Sequence, residues 1–423
     1  MKNKRFSRLL ALLLGLLMLS TMCVTAVAEE KVTLTVSAQQ NWIKDIDREL
    51  AARFTELYGI EIDFQVNPDD QYTNIIKTKL ATNEGPDIFY FTAGIALENF
   101  QPEKNLVDLS EEPWVEKMKS WAITSCTING KLYGLNTWSV DGNGILYNKQ
   151  IFDEYGLEPP TNFEELKEIC AVLLENGIRP IYENAKDLWH LPQWIAHLGA
   201  ELDAEIPGFV EKANNNEAFF ADSQVLTQAL MDYKELYDLG YLGDTALSDE
   251  WIPGYEAMGT GKAAMINTYT TYPSEVLEQF PDSQADTWGM FPVMIGGCTS
   301  FSQGAGGIAR GINANSEHIE EAKLYLQFLT EDQNIIDYYT VRTDLSETSV
   351  EGIEVREMSN AYNTFKEYSV NGVGVGLPSC VKYFSNEVVA KAMQNMLVGT
   401  MEPNEVLQEL DADRAKSFAA IGK

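Results

Sequence analysis

The chain has 423 residues, with 63 acidic against 31 basic side chains and a formal charge of −32. So acidic a surface repels nucleic acid and anionic lipid heads and disfavours an anionic solute. The length exceeds what one core comfortably serves and suits two lobes, while 45% hydrophobic and 22% charged residues are the proportions of an ordinary globular protein.

In chain order, Lys2, Lys4, Arg5 and Arg8 precede an apolar run over residues 9–19, and Ala26-Val27-Ala28 supplies small residues for cleavage. This is the layout of a secretory leader over residues 1–28, too short for a membrane span. Cleavage after Ala28 removes four basic residues and no acidic one, which leaves −36. Cys23 offers a lipid anchor, but Met22 is a poor residue to precede a lipidated cysteine, so the free exported form is favoured. No later stretch reaches the roughly 20 apolar residues of a spanning helix. Cys126, Cys170, Cys298 and Cys380 remain, with no CxxC element; export permits disulfides, their spacing does not pair them, and small buried hydrophobes are the simpler reading.

Alternation of Val32, Leu34 and Val36 predicts a strand over 31–38, and a helix over 41–58 carries Ile43, Ile46, Leu50, Phe54 and Leu57 on one face up to Gly59. A strand over 60–66, a helix over 71–82 and the apolar strand 88–91 complete a doubly wound half. Asn129-Gly130 predicts a tight turn, followed by a strand over 131–135. Gly142 and Gly144 flank Asn143 where the chain passes from one lobe to the other, ahead of a strand over 145–147. Thr161 is the expected N-cap of the next helix, with Glu164 closing a capping box. Further helices are expected over 162–176, 188–198, 223–239 and 316–330, with a glycine-rich return strand over 304–312 and a terminal helix pair.

Three runs within forty residues carry a resemblance: Gly-Lys-Leu-Tyr-Gly-Leu from Gly130, Leu-Tyr-Asn-Lys-Gln-Ile-Phe from Leu146, and Gly-Leu-Glu-Pro-Pro-Thr-Asn-Phe-Glu-Glu-Leu from Gly156. They resemble the central signature of extracellular solute-binding proteins of ABC sugar importers, in the maltose- and oligosaccharide-binding branch. Gly85-Pro86-Asp87-Ile88-Phe89, Gly261-Lys262-Ala263-Ala264-Met265 and the run from Glu321 to Thr330 are similar to further landmarks of that family. The resemblance spans residues 32–415. It implies a periplasmic-binding-protein-like α/β fold, two doubly wound lobes joined by hinge crossings with a ligand cleft between them. Lobe 1 is expected over 31–139 plus about 303–350, and lobe 2 over about 140–302 plus 351–423. The resemblance further implies that closure about a hinge captures a mono- or oligosaccharide for delivery to permease subunits.

The resemblance also implies where ligand contacts fall. Asn41 and Trp42 lie in the loop after the first strand, and Phe91 ends the Gly-Pro-Asp strand. Asp141 precedes the Tyr-Asn-Lys motif, and Asp187 with Trp189 matches a carboxylate–aromatic pair. The family's Gly-x-Trp after Ala-Ala-Met is replaced here by Asn267-Thr268-Tyr269-Thr270-Thr271-Tyr272, which leaves the third platform between Tyr269 and Tyr272. Tyr383 falls where a last aromatic is expected. Trp138, beside the crossing, either touches ligand or wedges the hinge. Aromatic platforms with carboxylates and amides at the rim suit sugar rings, whose faces carry C–H patches.

Other chemistry is poorly supported. Gly259-Thr260-Gly261-Lys262 lacks the first glycine and the following Ser or Thr of a phosphate loop, and the glycines from Gly304 lead into a strand, not a helix. His190 and His197 are two helical turns apart, His318 is isolated, and neither GxSxG nor HExxH occurs. No cofactor, metal or catalytic set is expected, and a monomer is. Two rivals stay open: a receptor for a polyamine or other cation, which aromatics and acidity also allow, and a secreted glycoside hydrolase using Asp141 and Asp187.

Overall fold

The computed structural model describes residues 31–68, 71–139, 142–303, 307–369 and 374–420; the leader, Cys23 and Asp141 lie outside the described residues. Numbered along the chain, the strands are β1 (Thr33–Gln39), β2 (Glu61–Asn67), β3 (Ile88–Thr92), β4 (Thr127–Ile128), β5 (Lys131–Leu132), β6 (Leu135–Asn136), β7 (Asn143–Tyr147), β8 (Arg179–Tyr182), β9 (Ala263–Tyr269), β10 (Gly289–Phe291), β11 (Ser302–Gln303), β12 (Ile308–Ile312) and β13 (Gly374–Val375).

Two separate mixed sheets result. The first has the order β2-β1-β3-β12-β6, and the second β13-β11-β7-β9-β8 with β10 antiparallel on β7. Each sheet collects its own core. One is drawn from residues between Leu34 and Leu135 plus Ala309 to Val350, and the other from residues between Ile145 and Cys298 plus Leu377 to Leu410. A smaller cluster around Tyr255, Met258, Ile266, Tyr272 and Trp288 covers the opposite face of the second sheet. This is the two-lobed α/β architecture implied by the sequence. Among the described residues no helix is long and apolar enough to cross a membrane.

The first lobe shows how local sequence builds it. In the helix Asp45–Tyr58, Ile46, Leu50 and Phe54 fall on one face and are buried. Phe54 packs on Tyr325 and Phe328 at 4.9 and 5.4 Å, a fully buried ring contributing about 1.5–3 kcal/mol. The left-handed Gly59 (φ 72°) ends the helix, as expected of a glycine stop.

Strand directions put two passages between the sheets at one edge of each sheet. β12 runs antiparallel to β3, so its first residue, Ile308, lies opposite Thr92 at the carboxyl end of β3, and β6 ends at the same edge. In the second lobe β7 begins at Asn143 opposite Tyr269, the end of β9, and Ser302 of β11 lies opposite Asn143. The chain therefore passes between the two sheets after β6 and again between β11 and β12, next to the carboxyl edges where α/β folds bind ligands. Gly142 (φ 46°) sits at the first crossing, and an added Cβ would meet Phe365 at 2.6 Å and Thr270 at 2.8 Å. Gly144, by contrast, already lies inside β7.

Three local expectations fail for identifiable reasons. The strand over 131–135 is split into β5 and β6, because β5 pairs in the hairpin with β4 while β6 joins the edge of the first sheet. The helix over 188–198 is reduced to Gln193–Ala196; Pro192 has no N–H to donate, and residues 187–190 form a turn instead. The cap of the helix Phe163–Glu175 is Asn162, whose Oδ1 accepts from the Glu165 amide at 3.0 Å, and Glu165 in turn accepts from the Thr161 amide at 2.7 Å. The box is thus shifted by one residue from Thr161 and Glu164. Asn162→Ala is expected to cost about 1 kcal/mol in chemical denaturation, with Thr161→Ala costing less.

Candidate functional site

At the carboxyl edge of the second sheet an aromatic wall assembles. The turn at 187–190, set by the His190 amide donating to the Asp187 carbonyl at 2.9 Å, holds Trp189 outward with 39% of its surface exposed. Its ring meets Trp251 edge-on at 5.0 Å. Trp251 is backed by Tyr272 at 4.9 Å and Tyr255 at 6.0 Å. Asp187 fixes this pair: its Oδ2 accepts from the Trp251 amide at 2.6 Å, at the start of the helix Trp251–Gly259, and from Asn184 Nδ2 at 3.0 Å. Asp187 therefore positions Trp251.

A polar relay continues from the wall. Trp251 Nε1 donates to Tyr255 Oη at 2.8 Å, and Tyr255 Oη donates to Glu275 at 2.6 Å. Burial pushes the Glu275 carboxyl up to about 7 against the hydrogen bond from Tyr255; Asp344 of the first lobe adds to the rise and Lys44 opposes it. Beside them Thr343 donates to Glu278 at 2.6 Å. On another side Lys382 pairs with Glu98 at 2.6 Å. The two lobes thus touch at both places.

The first lobe contributes the loop after β1. Asn41 is exposed, and Trp42 is half-buried with its ring edge-on to Tyr72 at 5.4 Å. Trp138 is half-buried at the crossing, and Arg342 stacks over its ring at 4.1 Å. The Trp138 carbonyl also accepts from the Gly307 amide at 2.8 Å, joining two crossings. Arg342 thus covers one face of the Trp138 ring at the hinge.

Two implied platforms are placed elsewhere. Phe91 is fully buried, packed on Phe89 and Phe100 at 6.1 and 6.2 Å, and its ring seats over Gly134 and Gly311, where an added Cβ would lie 2.6 and 2.8 Å away. That corrects its assignment as a stacking residue: no ring face is left for a ligand. Tyr383 (φ 60°) packs edge-on against Phe418 of the helix Pro403–Ala420 at 5.0 Å, not against the wall. Of the tyrosine pair, Tyr272 is 1% exposed and supports the wall from behind, whereas Tyr269 at the end of β9 keeps accessible surface. Burial raises the Tyr269 hydroxyl to about 12. Asp141 lies outside the described residues. Trp251 was missed by sequence reasoning, although its spacing to Tyr255, one helical turn on, was a usable signal.

The four cysteines among the described residues are free, and burial pushes Cys126 up to about 12 and Cys380 to about 11. Among the described residues no cluster of His, Cys, Asp and Glu suits a metal ion. A groove of about 510 Å³ between the helix Asp45–Tyr58 and edge strand β2, lined by Arg48, Glu61 and Phe64, lies away from the crossings.

With this geometry in place, comparison with known proteins is decisive for family. The profile of the bacterial extracellular solute-binding protein family matches residues 40–335. The chain belongs to this family. A multiple sugar-binding protein of Streptococcus mutans is 21% identical over 294 residues, covering 68% of this chain and 67% of its own. The melibiose/raffinose/stachyose-binding protein MelE of Bacillus subtilis is 24% identical over 193 residues, 44% of this chain and 43% of that one. Among solved structures, a chitin oligosaccharide binding protein superposes with a TM-score of 0.76 at 17% identity over 92% of this chain and 100% of that one. RafE in complex with raffinose gives 0.73 at 20% identity over 90% and 98%. At these identities the structural likeness establishes the fold of this solute-binding protein, and the relatives are binding proteins, not enzymes.

Proposed function

We propose that this solute-binding protein, exported with cleavage after Ala28 and free of a lipid anchor, captures a neutral mono- or oligosaccharide between its lobes and passes it to an ABC permease. The bodies that move are residues 31–139 with 303–350, and 140–302 with 351–423. The protein acts as a monomer without a cofactor.

The observation that carries this reading is the exposed Trp189 ring, braced by Trp251 at 5.0 Å. Asp187 holds Trp251 and Glu275 reaches it through Tyr255, and our reading adds Tyr269, Trp42 and Asn41 as further ligand contacts. An indole face stacks on the C–H patches of a sugar ring while rim groups take its hydroxyls. Turning a 1:99 open–closed balance into 99:1 takes roughly 5.5 kcal/mol of differential affinity. One or two stacked rings at ~1 kcal/mol each and several charge-assisted hydrogen bonds at about 1.5–3 kcal/mol each supply it. The sugar-binding names of the relatives support the same class.

A thermal-shift screen of raffinose, stachyose, chitobiose and maltotriose against spermidine and choline tests this. A saccharide is expected to raise Tm and to be recovered unchanged; stabilisation by the cations alone, or cleavage of the sugar, overturns the reading. Trp189→Ala is expected to weaken saccharide binding tenfold or more by calorimetry, with the ligand-free Tm nearly unchanged. Unaltered affinity removes Trp189 from the site.

A further inference from the structure

The turn that carries Trp189 is tied back to the second sheet by the next residue, His190, which is 1% exposed. β8 pairs with β9 only as far as Tyr182 opposite Ile266. Just beyond that point each strand presents one group to the imidazole. Nε2 lies 2.8 Å from the carbonyl of Asn267, the next residue of β9, and Nδ1 lies 3.3 Å from Oε1 of Glu183, which follows β8. A carbonyl only accepts, so Nε2 carries a proton and donates to Asn267. Glu183 is fully buried, and its other oxygen accepts from Trp194 Nε1 at 2.5 Å. Both nitrogens of the His190 ring are therefore held by groups that are themselves locked.

The same ring meets both indoles of the wall. His190 stands edge-on to Trp189 at 5.3 Å and tilted to Trp251 at 5.5 Å, while the two indoles are 5.0 Å apart. The three rings form a triangle with the histidine as its buried corner, at separations and angles that aromatic pairs favour. A stacking platform serves best when its plane is fixed before ligand arrives, because a side chain ordered on binding costs affinity. Gln193 donates to the Trp189 carbonyl at 3.3 Å, which restrains the main chain but not the plane of the ring.

We infer that His190 is the positioning residue of the Trp189 platform, its Nε2 bond to β9 setting the plane that the indole offers to ligand. The inference rests on the saccharide-receptor reading, in which Trp189 stacks on the sugar, and adds the residue that orients the stack. Glu183 has a different duty: it keeps a buried ring paired and so serves the fold. The two ring nitrogens thus divide the work, Nδ1 for stability and Nε2 for orientation.

Two amide substitutions separate these duties. Asn puts an amide near the place of Nδ1 and is too short for the Asn267 carbonyl, whereas Gln reaches the place of Nε2 and leaves Glu183 with its Trp194 bond. His190→Asn is expected to keep the ligand-free Tm nearer that of the intact protein than His190→Gln does. Yet by calorimetry it is expected to weaken the best of raffinose, stachyose, chitobiose and maltotriose by about fivefold or more, equivalent to ~1 kcal/mol of stacking. His190→Gln is expected to stay within about twofold of the intact protein. Near-ultraviolet circular dichroism of the ligand-free protein is expected to change in His190→Asn and to keep its shape in His190→Gln. In a Trp189→Ala background His190→Asn is expected to cost no further affinity.

Tm and affinity that rank the two variants in the same order, or equal losses with and without Trp189, overturn the inference, since His190 would then be a staple of the lobe. A His190→Asn protein that does not fold overturns it for the same reason. An intact protein that binds no saccharide overturns the receptor reading instead. The dichroism, read without ligand, still decides the orienting role: spectra unchanged in both variants refute it.

Discussion

Asp47→Ala is expected to lower the stability of the first lobe by about 3–5 kcal/mol, the cost of stranding a buried charge. Asp47 and Arg310 form an ion pair at 2.9 Å with both side chains 3% exposed. Arg310's other partners are all uncharged: Tyr90 Oη at 2.8 Å, Thr137 Oγ1 at 2.6 Å, Tyr338 Oη at 3.5 Å and the faces of the Tyr90 and Tyr338 rings at 4.7 and 5.6 Å. Asp47 has a second duty, since its Oδ2 accepts from the Lys44 amide at 2.9 Å and so caps the helix Asp45–Tyr58. Denaturant unfolding followed at the first lobe measures the loss, and a cost under about 1 kcal/mol would refute the assignment. Asp47→Leu combined with Arg310→Met is expected to recover most of it, because an apolar pair of similar volume leaves no charge behind.

The pair also matters for function. Arg310 lies on β12 just after the second crossing, and its bond to Thr137 holds the residue before Trp138 at the first. Asp47 anchors the helix whose leading loop carries Asn41 and Trp42. One buried contact therefore ties two hinge strands to the first lobe's share of the site. Asp47→Ala is expected to blunt ligand affinity as well as stability.

Much of this architecture was legible because it rests on local pattern. Alternation at Leu34 and Val36, and the Ile46, Leu50 and Phe54 stripe, specify elements that pack as their faces dictate. What was hidden depends on contacts between distant segments. An aromatic ending a strand reads the same whether its ring turns to a cleft or a core; for Phe91, Gly134 between β5 and β6 and Gly311 on β12 leave the room its ring fills. Trp251 joins the site through Asp187, 64 residues earlier, so its spacing to Tyr255 marks a helix face without showing which site that face serves. Thr161 and Asn162 are both competent caps, and it is the extended Asn162 (φ −159°, ψ 172°) whose side chain accepts from the Glu165 amide.

Glu275→Gln is expected to stabilise the protein at pH 8 and to change it little at pH 5. Glu275 titrates near 7 in the folded protein against an ordinary 4.5. The folded state therefore binds more protons than the unfolded one between those values, and stability falls as pH rises through that window. Above it the ionised carboxylate carries a penalty on the order of 3 kcal/mol, at 1.36 kcal/mol per pKa unit. The variant removes the titrating group while keeping an acceptor for Tyr255. The groups facing it are Tyr255 and Glu278 on its own lobe, and Asp344 and Lys44 on the other. Because Asp344 and Lys44 belong to the opposite lobe, closure itself is linked to this proton. Saccharide affinity is expected to be higher at pH 6 than at pH 8 in the intact protein and level across that range in the variant. Melting and calorimetric titrations at pH 5, 6, 7 and 8 read both effects. Parallel pH profiles for the two proteins would show that the proton resides elsewhere, and that the seam between the lobes closes without it.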